Sequence, residues 1–105
     1  MTNEEIKELI RRRRGQMLVH SYIYYKRDEN LITDFDFDKW AFELAELQNK
    51  YPELAKECPY ADAFEDWDGS TGAFLPYELP NIVAIAERLL GNTPKALPKK
   101  KGRLF

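Results

Sequence analysis

The nine residues from Met17 to Tyr25, MLVHSYIYY, leave this chain few choices. Apolar and aromatic side chains fall almost all round a helix drawn through them, and such a helix must be covered on several sides. The helix begins well before that stretch. Thr2 followed by Glu5 reads as a capping box, which predicts a start near residue 3. Ile6, Leu9, Ile10, Arg13 and Met17 keep helical spacing. Gly15 weakens the middle by about 1 kcal/mol relative to alanine without ending it. A chain of 105 residues holds about one domain with a modest core. Its 44% hydrophobic and 13% aromatic content supplies that core, where a disordered chain would carry fewer aromatics.

The polar stretch KRDENLI predicts a loop, and Thr33 or Asp34 then caps a second helix with acidic residues in its first turn. Phe37, Trp40, Ala41, Leu44, Leu47 and Tyr51 form one apolar stripe along it. Pro52 closes that helix or opens a short one through Lys56. Two helices joined by a seven-residue link predict a helical hairpin. Residues 58–80, rich in proline, glycine and aromatics, read as an ordered, packed segment with a short strand or β-hairpin around Gly72 to Tyr77. Pro80 or Asn81 starts a last helix, NIVAIAERLL, which Gly91 ends as a C′ glycine. The fold class is mainly α, with one domain over residues 1–91 and a flexible basic tail over 92–105.

Several function classes fall away. No apolar run approaches the eighteen or so residues that span a bilayer. The acidic, helical opening MTNEEIKELI is not a secretory signal. A single cysteine, Cys58, excludes an internal disulfide framework, and a single histidine, His20, excludes a histidine-rich metal site. The cytoplasm is the expected compartment. His20 reads as a packed side chain of the apolar helix, and Cys58, which precedes a proline and lacks an activating base, as inert. Neither a Walker-type loop nor G-x-G-x-x-G is present.

The net charge of −2 hides three zones. Residues 1–27 hold seven basic against three acidic residues, residues 28–68 three against thirteen, and residues 69–105 six against two, or +4, −10 and +4. The middle repels a phosphate backbone, which makes nucleic acid the least favoured partner. The four arginines at 11–14 read as the wet face of a helix.

The informative cluster is the junction of the first two helices. Asp34 and Asp38 share one helix face, Phe37 borders it, and Tyr24 and Tyr25 end the preceding helix. If the hairpin folds back, aromatics and carboxylates converge at its mouth. Aromatic faces suit a flat, electron-poor or cationic ring, and carboxylates accept from hydroxyls and amides. The same residues also read as a capped helix with solvated aspartates. The stretch Asp68, Gly69, Ser70, Thr71 and Gly72 reads as a plain turn or as a cradle for an anion.

Residues 22–54 resemble the N-terminal Ia domain of bacterial NAD-dependent DNA ligases. That family's pattern is Y-x-Y-H, a short loop, I-x-D-x-x-Y-D, a helix with E-L-x-x-L, and H-P-E-L. Tyr22, Tyr24, Ile32, Asp34, Asp38, Glu43, Leu44, Leu47, Pro52, Glu53 and Leu54 match it without a gap. The resemblance implies that the hairpin grips the nicotinamide mononucleotide half of NAD. Tyr24 and Phe37 take the stacking positions, and Asp34 and Asp38 the polar ones. Two positions depart from the pattern: Tyr25 stands where the family has histidine, and Phe37 where it has the second tyrosine. The ligase's K-x-D-G motif is not matched, since Asp66 stands where the adenylating lysine would be. Ligation by this chain is therefore not expected, and Asp34 and Asp38 are the candidates for any weak NAD cleavage. The continuation into D-G-S-T-G and L-P-Y resembles stand-alone ligase-related proteins of phages and prophages. The expectation is non-catalytic binding of an NAD-related nucleotide, with no cofactor required and with Lys26, Asp68, Ser70 and Thr71 near its phosphates. In a phage, such a protein would sequester an NAD-derived immune signal such as a cyclic ADP-ribose, an anti-defence role in the host cytoplasm. The alternative is an interaction module, in which the 17–25 helix pairs with a second copy or with a host protein such as a DNA ligase.

Overall fold

A reciprocal cap starts the first helix, α1, which spans Asn3–Tyr25. The Thr2 hydroxyl accepts from the Glu5 amide at 3.1 Å, and the Glu5 carboxylate accepts from the Thr2 amide at 2.8 Å. This computed structural model describes residues 1–65, 67, 69, 72 and 74–92, with nothing stated of the Asn92 side chain. Helix α1 runs unbroken through Gly15, whose surroundings are open. Its chain then turns through residues 26–33, an eight-residue link in which Asp28 adopts a left-handed φ of 55°. Short polar side chains such as aspartate tolerate that conformation. Glu29 donates its amide to the Ile23 carbonyl at 3.0 Å, which folds the link back on the helix.

Thr33 caps α2, Asp34–Lys50, by accepting from the Asp36 amide at 3.0 Å. The pairs Arg13 with Glu43, Arg14 with Gln48, and His20 with Trp40 show that α1 and α2 run antiparallel. Pro52 opens α3, Pro52–Lys56, where its missing N–H costs nothing. The last helix, α4, spans Pro80–Asn92 and lies along another side of α1, tied by a 2.7 Å hydrogen bond from the Tyr22 hydroxyl to Glu87. Helix α1 touches α2, α3 and α4. Its residues Met17, Leu18, Val19, Tyr22, Ile23 and Tyr24 are all buried, as an all-round apolar helix demands. No helix among the described residues is long and apolar enough to cross a membrane.

Of the 17–25 stretch expected to pair with a partner, His20 and Tyr25 are half-buried and the rest are buried within the chain. Three expectations are corrected. The arginine run is not one wet face. Arg11 and Arg12 are exposed beside Glu8, Arg13 is half-buried against Glu43 and Trp40, and Arg14 is 2% exposed. Arg14 lies four residues after Ile10 and three before Met17, so the helix turn carries it onto the core stripe. There its Nη1 donates to the carbonyls of Ala55, Cys58 and Pro59 at 3.0, 3.2 and 3.1 Å, and its Nε to Gln48 Oε1 at 2.8 Å. The Ala55 carbonyl also accepts from the Cys58 amide at 3.3 Å, so Arg14 is its second donor, at the end of the short helix α3.

The β-hairpin expected around Gly72 to Tyr77 is not present among the described residues. The Leu75 amide donates to the Gly72 carbonyl at 3.2 Å, and the Tyr77 amide to the Leu75 carbonyl at 2.8 Å in a tight turn about Pro76, which has no N–H for a ladder. Among the described residues no strand exceeds a lone bridge at Asn30. Nor does Gly91 end α4, which continues to Asn92. Gly91 keeps a helical backbone and faces open space, so nothing forces the left-handed C′ conformation there. Helix α4 ends one residue beyond the expected domain of residues 1–91, and residues 93–105 of the expected 92–105 tail lie outside the described residues.

Two glycines after Trp67, Gly69 and Gly72, lie close against the hairpin. A Cβ on Gly72 would stand 2.0 Å from Ser21 Oγ and 3.3 Å from Phe37 Cζ, and Gly69 has a φ of 86° against the Ala41 carbonyl. Gly72→Ala is expected to cost about 1–3 kcal/mol in thermal or urea unfolding, and Ser21→Ala in the same chain to recover part of it. Arg14→Met is expected to cost about 2–4 kcal/mol by urea unfolding, because it removes the Arg14 donor from the buried Cys58 and Pro59 carbonyls and one of two donors from that of Ala55. Arg14→Lys should recover little, since one ammonium cannot reproduce the fork. Full recovery by lysine would show that the charge alone matters.

Candidate functional site

The site predicted from sequence lies at the mouth of the hairpin, where α1 ends and α2 begins. Tyr24 is 2% exposed and Phe37 fully buried, so neither ring offers a face to solvent in this conformation. Asp34 is also buried, in the first turn of α2, where the helix dipole favours a negative charge. Asp38, one turn on, is half-buried. Tyr25 meets Tyr24 edge-on at 4.9 Å between ring centroids. On its other side Tyr25 stacks on Tyr77 at 5.9 Å with the planes 15° apart. Lys26 is exposed and pairs with Glu78 at 3.1 Å.

The structure thus brings Tyr24, Tyr25, Asp34, Phe37 and Asp38 to one end of the hairpin and adds two residues that the helix pattern does not mark. Tyr77 stacks on Tyr25, and Ser21 sits under Gly72 beside Phe37. The signal for Tyr77 was the L-P-Y of residues 75–77. A buried serine one helix turn from Met17 and Tyr24 leaves no such mark. Asp68, Ser70 and Thr71 lie outside the described residues, but Gly69 and Gly72, which flank the last two, rest on α2 and on the α1–α2 seam. Arg27 pairs with Glu87, which also accepts from the Tyr22 hydroxyl. That hydrogen bond raises the Tyr22 pKa, and the pairing with Arg27 lowers that of Glu87. Both basic residues beside the mouth are therefore engaged, in exposed ion pairs that an incoming anion can displace at small cost.

Elsewhere the chemistry is quiet. Cys58 is buried, and that burial pushes its thiol up and away from the reactive thiolate. Among the described residues no group of three or more His, Cys, Asp or Glu is placed to hold a metal. His20 packs against Trp40 at 5.9 Å, and burial pushes its imidazole down from 6.5 to about 4. Between those values the unfolded chain takes up a proton that the folded chain refuses. Stability is therefore complete above about pH 6.5 and falls with pH to about 4, by at most about 1.4 kcal/mol per pH unit from this group. Urea midpoints at pH 7, 5.5 and 4.5 should fall more steeply in the wild type than in His20→Leu. Parallel slopes would assign the acid loss to other groups.

Comparison with known proteins bears on the same end of the molecule. The family described as the DNA ligase-like, N-terminal NAD+-binding domain matches residues 3–58, the whole of α1, the link, α2 and α3. The DNA ligase of Fervidobacterium nodosum is 39% identical over 54 residues, which cover 51% of this chain and 8% of that enzyme. The DNA ligase of Thermoanaerobacter sp. is 44% identical over 48 residues, 46% of this chain and 7% of the enzyme. That of Flavobacterium johnsoniae is 42% identical over 52 residues, 50% of this chain and 8% of the enzyme. The chain thus spans less than a tenth of the length of these relatives, and no solved structure matches it. With its capped hairpin and the hairpin residues at its mouth inside the matched stretch, the chain belongs to the family of DNA ligase-like, N-terminal NAD+-binding domains.

Proposed function

We propose that this chain binds an NAD-related nucleotide at the hairpin mouth and returns it unchanged. One observation carries the reading: the NAD+-binding family match runs over residues 3–58 and includes every hairpin residue assigned to the site. Tyr24 and Phe37 take the flat ring between them, and Asp34 and Asp38 accept from ribose hydroxyls or the amide. Tyr25 stands in for the family's histidine and offers a hydroxyl in place of a cationic donor. Lys26 and the stretch holding Asp68, Ser70 and Thr71 serve the phosphates. A ring can slide between Tyr24 and Phe37 only if Gly72 gives way, since it packs against Phe37. Ligand binding is thereby coupled to movement of the segment that carries Gly72 and Tyr77.

The non-catalytic part rests on sequence. Adenylation needs a lysine nucleophile, and Asp66 stands at its place in the ligase pattern. A protein that holds an NAD-derived nucleotide without consuming it lowers the free concentration of that compound. In a phage-infected cytoplasm this sequesters an immune signal of the cyclic ADP-ribose type, an anti-defence role that needs no partner beyond the nucleotide.

The test is calorimetric titration with NAD, NMN, ADP-ribose and cyclic ADP-ribose isomers, followed by chromatography of the recovered ligand. Saturable binding with unchanged ligand is expected. Asp38→Ala should weaken it about tenfold or more, as loss of a hydrogen bond to a charged group does. Asp38 is the cleaner probe, because Tyr24→Ala would also open a core cavity costing about 3–5 kcal/mol. Unaltered affinity in Asp38→Ala would move the site elsewhere, and release of nicotinamide would make the protein an enzyme.

A further inference from the structure

At the far end of the hairpin from the mouth lies a cleft of about 470 Å³. Arg14 and Phe64 form its depth and Trp67 one wall. The Arg14 guanidinium stands 5.7 Å over the Phe64 ring, and Trp67 meets that ring edge-on at 5.1 Å, which leaves Trp67 half-buried in the wall. All four hydrogen bonds of Arg14 end on neutral oxygens, one amide and three backbone carbonyls. None is made by Nη2, which keeps two N–H groups without an acceptor among the described residues. No carboxylate there pairs with Arg14 either. A buried cation balanced by dipoles alone is costly, and a guanidinium fork is best matched by a carboxylate.

The rim narrows the choice of anion. Lys56, Asp62 and Glu65 border the cleft with exposed side chains, a net of one negative charge. That rim opposes a doubly charged phosphate more than a singly charged ion with an apolar body. We propose that the cleft is a second ligand site for a small aromatic carboxylate, its carboxylate on Arg14 Nη2 and its ring against Trp67. The site is distinct from the mouth: Arg14 and Tyr24 are ten residues apart on one helix, or about 15 Å. It does not rest on nucleotide binding there.

The test titrates benzoate, benzamide and inorganic phosphate into the ¹⁵N-labelled full chain at constant ionic strength, following the Arg14 Nε–H and Trp67 Nε1–H resonances. Benzoate is expected to move both saturably. Benzamide, which has the ring without the charge, and phosphate, which has the charge without the ring, should bind about tenfold more weakly or worse. Trp67→Ala, with its fold checked by its amide spectrum, should lose benzoate affinity. Should that variant not fold, the three-ligand comparison on the wild type decides alone. No saturable shift with benzoate overturns the proposal. Equal shifts with benzamide would remove the role of Arg14, and equal shifts with phosphate or full affinity in Trp67→Ala would remove that of the ring; either result overturns it too.

Discussion

The enclosure of α1 is the constraint on which the rest depends. Its second half has apolar side chains on all sides, so one partner helix cannot cover it. Helix α2 covers one side, α4 another, and the short α3 reaches the lower part. The polar links between them are placed where that enclosure needs orientation. Arg14 anchors the turn after α3, and Glu87 joins α4 to both Tyr22 and Arg27. Burying a guanidinium at 2% exposure is unfavourable unless its donors are used. Here Nε and Nη1 are used, on the Gln48 amide oxygen and on the carbonyls of Ala55, Cys58 and Pro59, which offsets part of the desolvation on both sides.

The charge zones along the chain acquire a different meaning in three dimensions. The basic N-terminal stretch and the acidic middle are the two halves of the hairpin and its continuation, so folding lays one on the other. Arg13 meets Glu43 at 2.9 Å and Lys7 meets Glu57 at 3.3 Å. With Arg14 in the core and Arg27 on Glu87, the N-terminal basic residues do not form a free cationic stripe of the kind that tracks a phosphate backbone.

Local signals were legible where chemistry acts over three or four residues. The Thr2–Glu5 box, the Thr33 cap and the prolines at 52 and 80 marked helix starts because each satisfies or spares an end amide. What depended on distant neighbours was not legible. Arg14 looked like a member of a charge run, although its phase with Ile6, Ile10 and Met17 placed it on the core stripe. Gly91 had the residue type of a helix stop, but a C′ glycine stops a helix only when the following chain turns away. The Gly72 to Tyr77 stretch had the aromatics of a strand but no strand pairing among the described residues. At the site, the hairpin residues were readable from spacing and family likeness, whereas Ser21 and Tyr77 are defined only by contacts across fifty residues.

The two departures from the ligase pattern fall at two of the points where downstream residues touch the hairpin. Phe37 replaces a tyrosine at the position against which Gly72 packs, and it is fully buried. A hydroxyl there would need a buried partner or bear its desolvation cost, so its loss suits the enclosed state. Tyr25 replaces a histidine at the position that stacks on Tyr77. A neutral aromatic ring stacks there without carrying a charge into a half-buried mouth. Both changes favour an internal cover for the hairpin. On the proposed function, a nucleotide entering the mouth exchanges the Gly72 contact with Phe37 and the Tyr77 stack on Tyr25 for contacts of its own, and its affinity is the difference between the two sets.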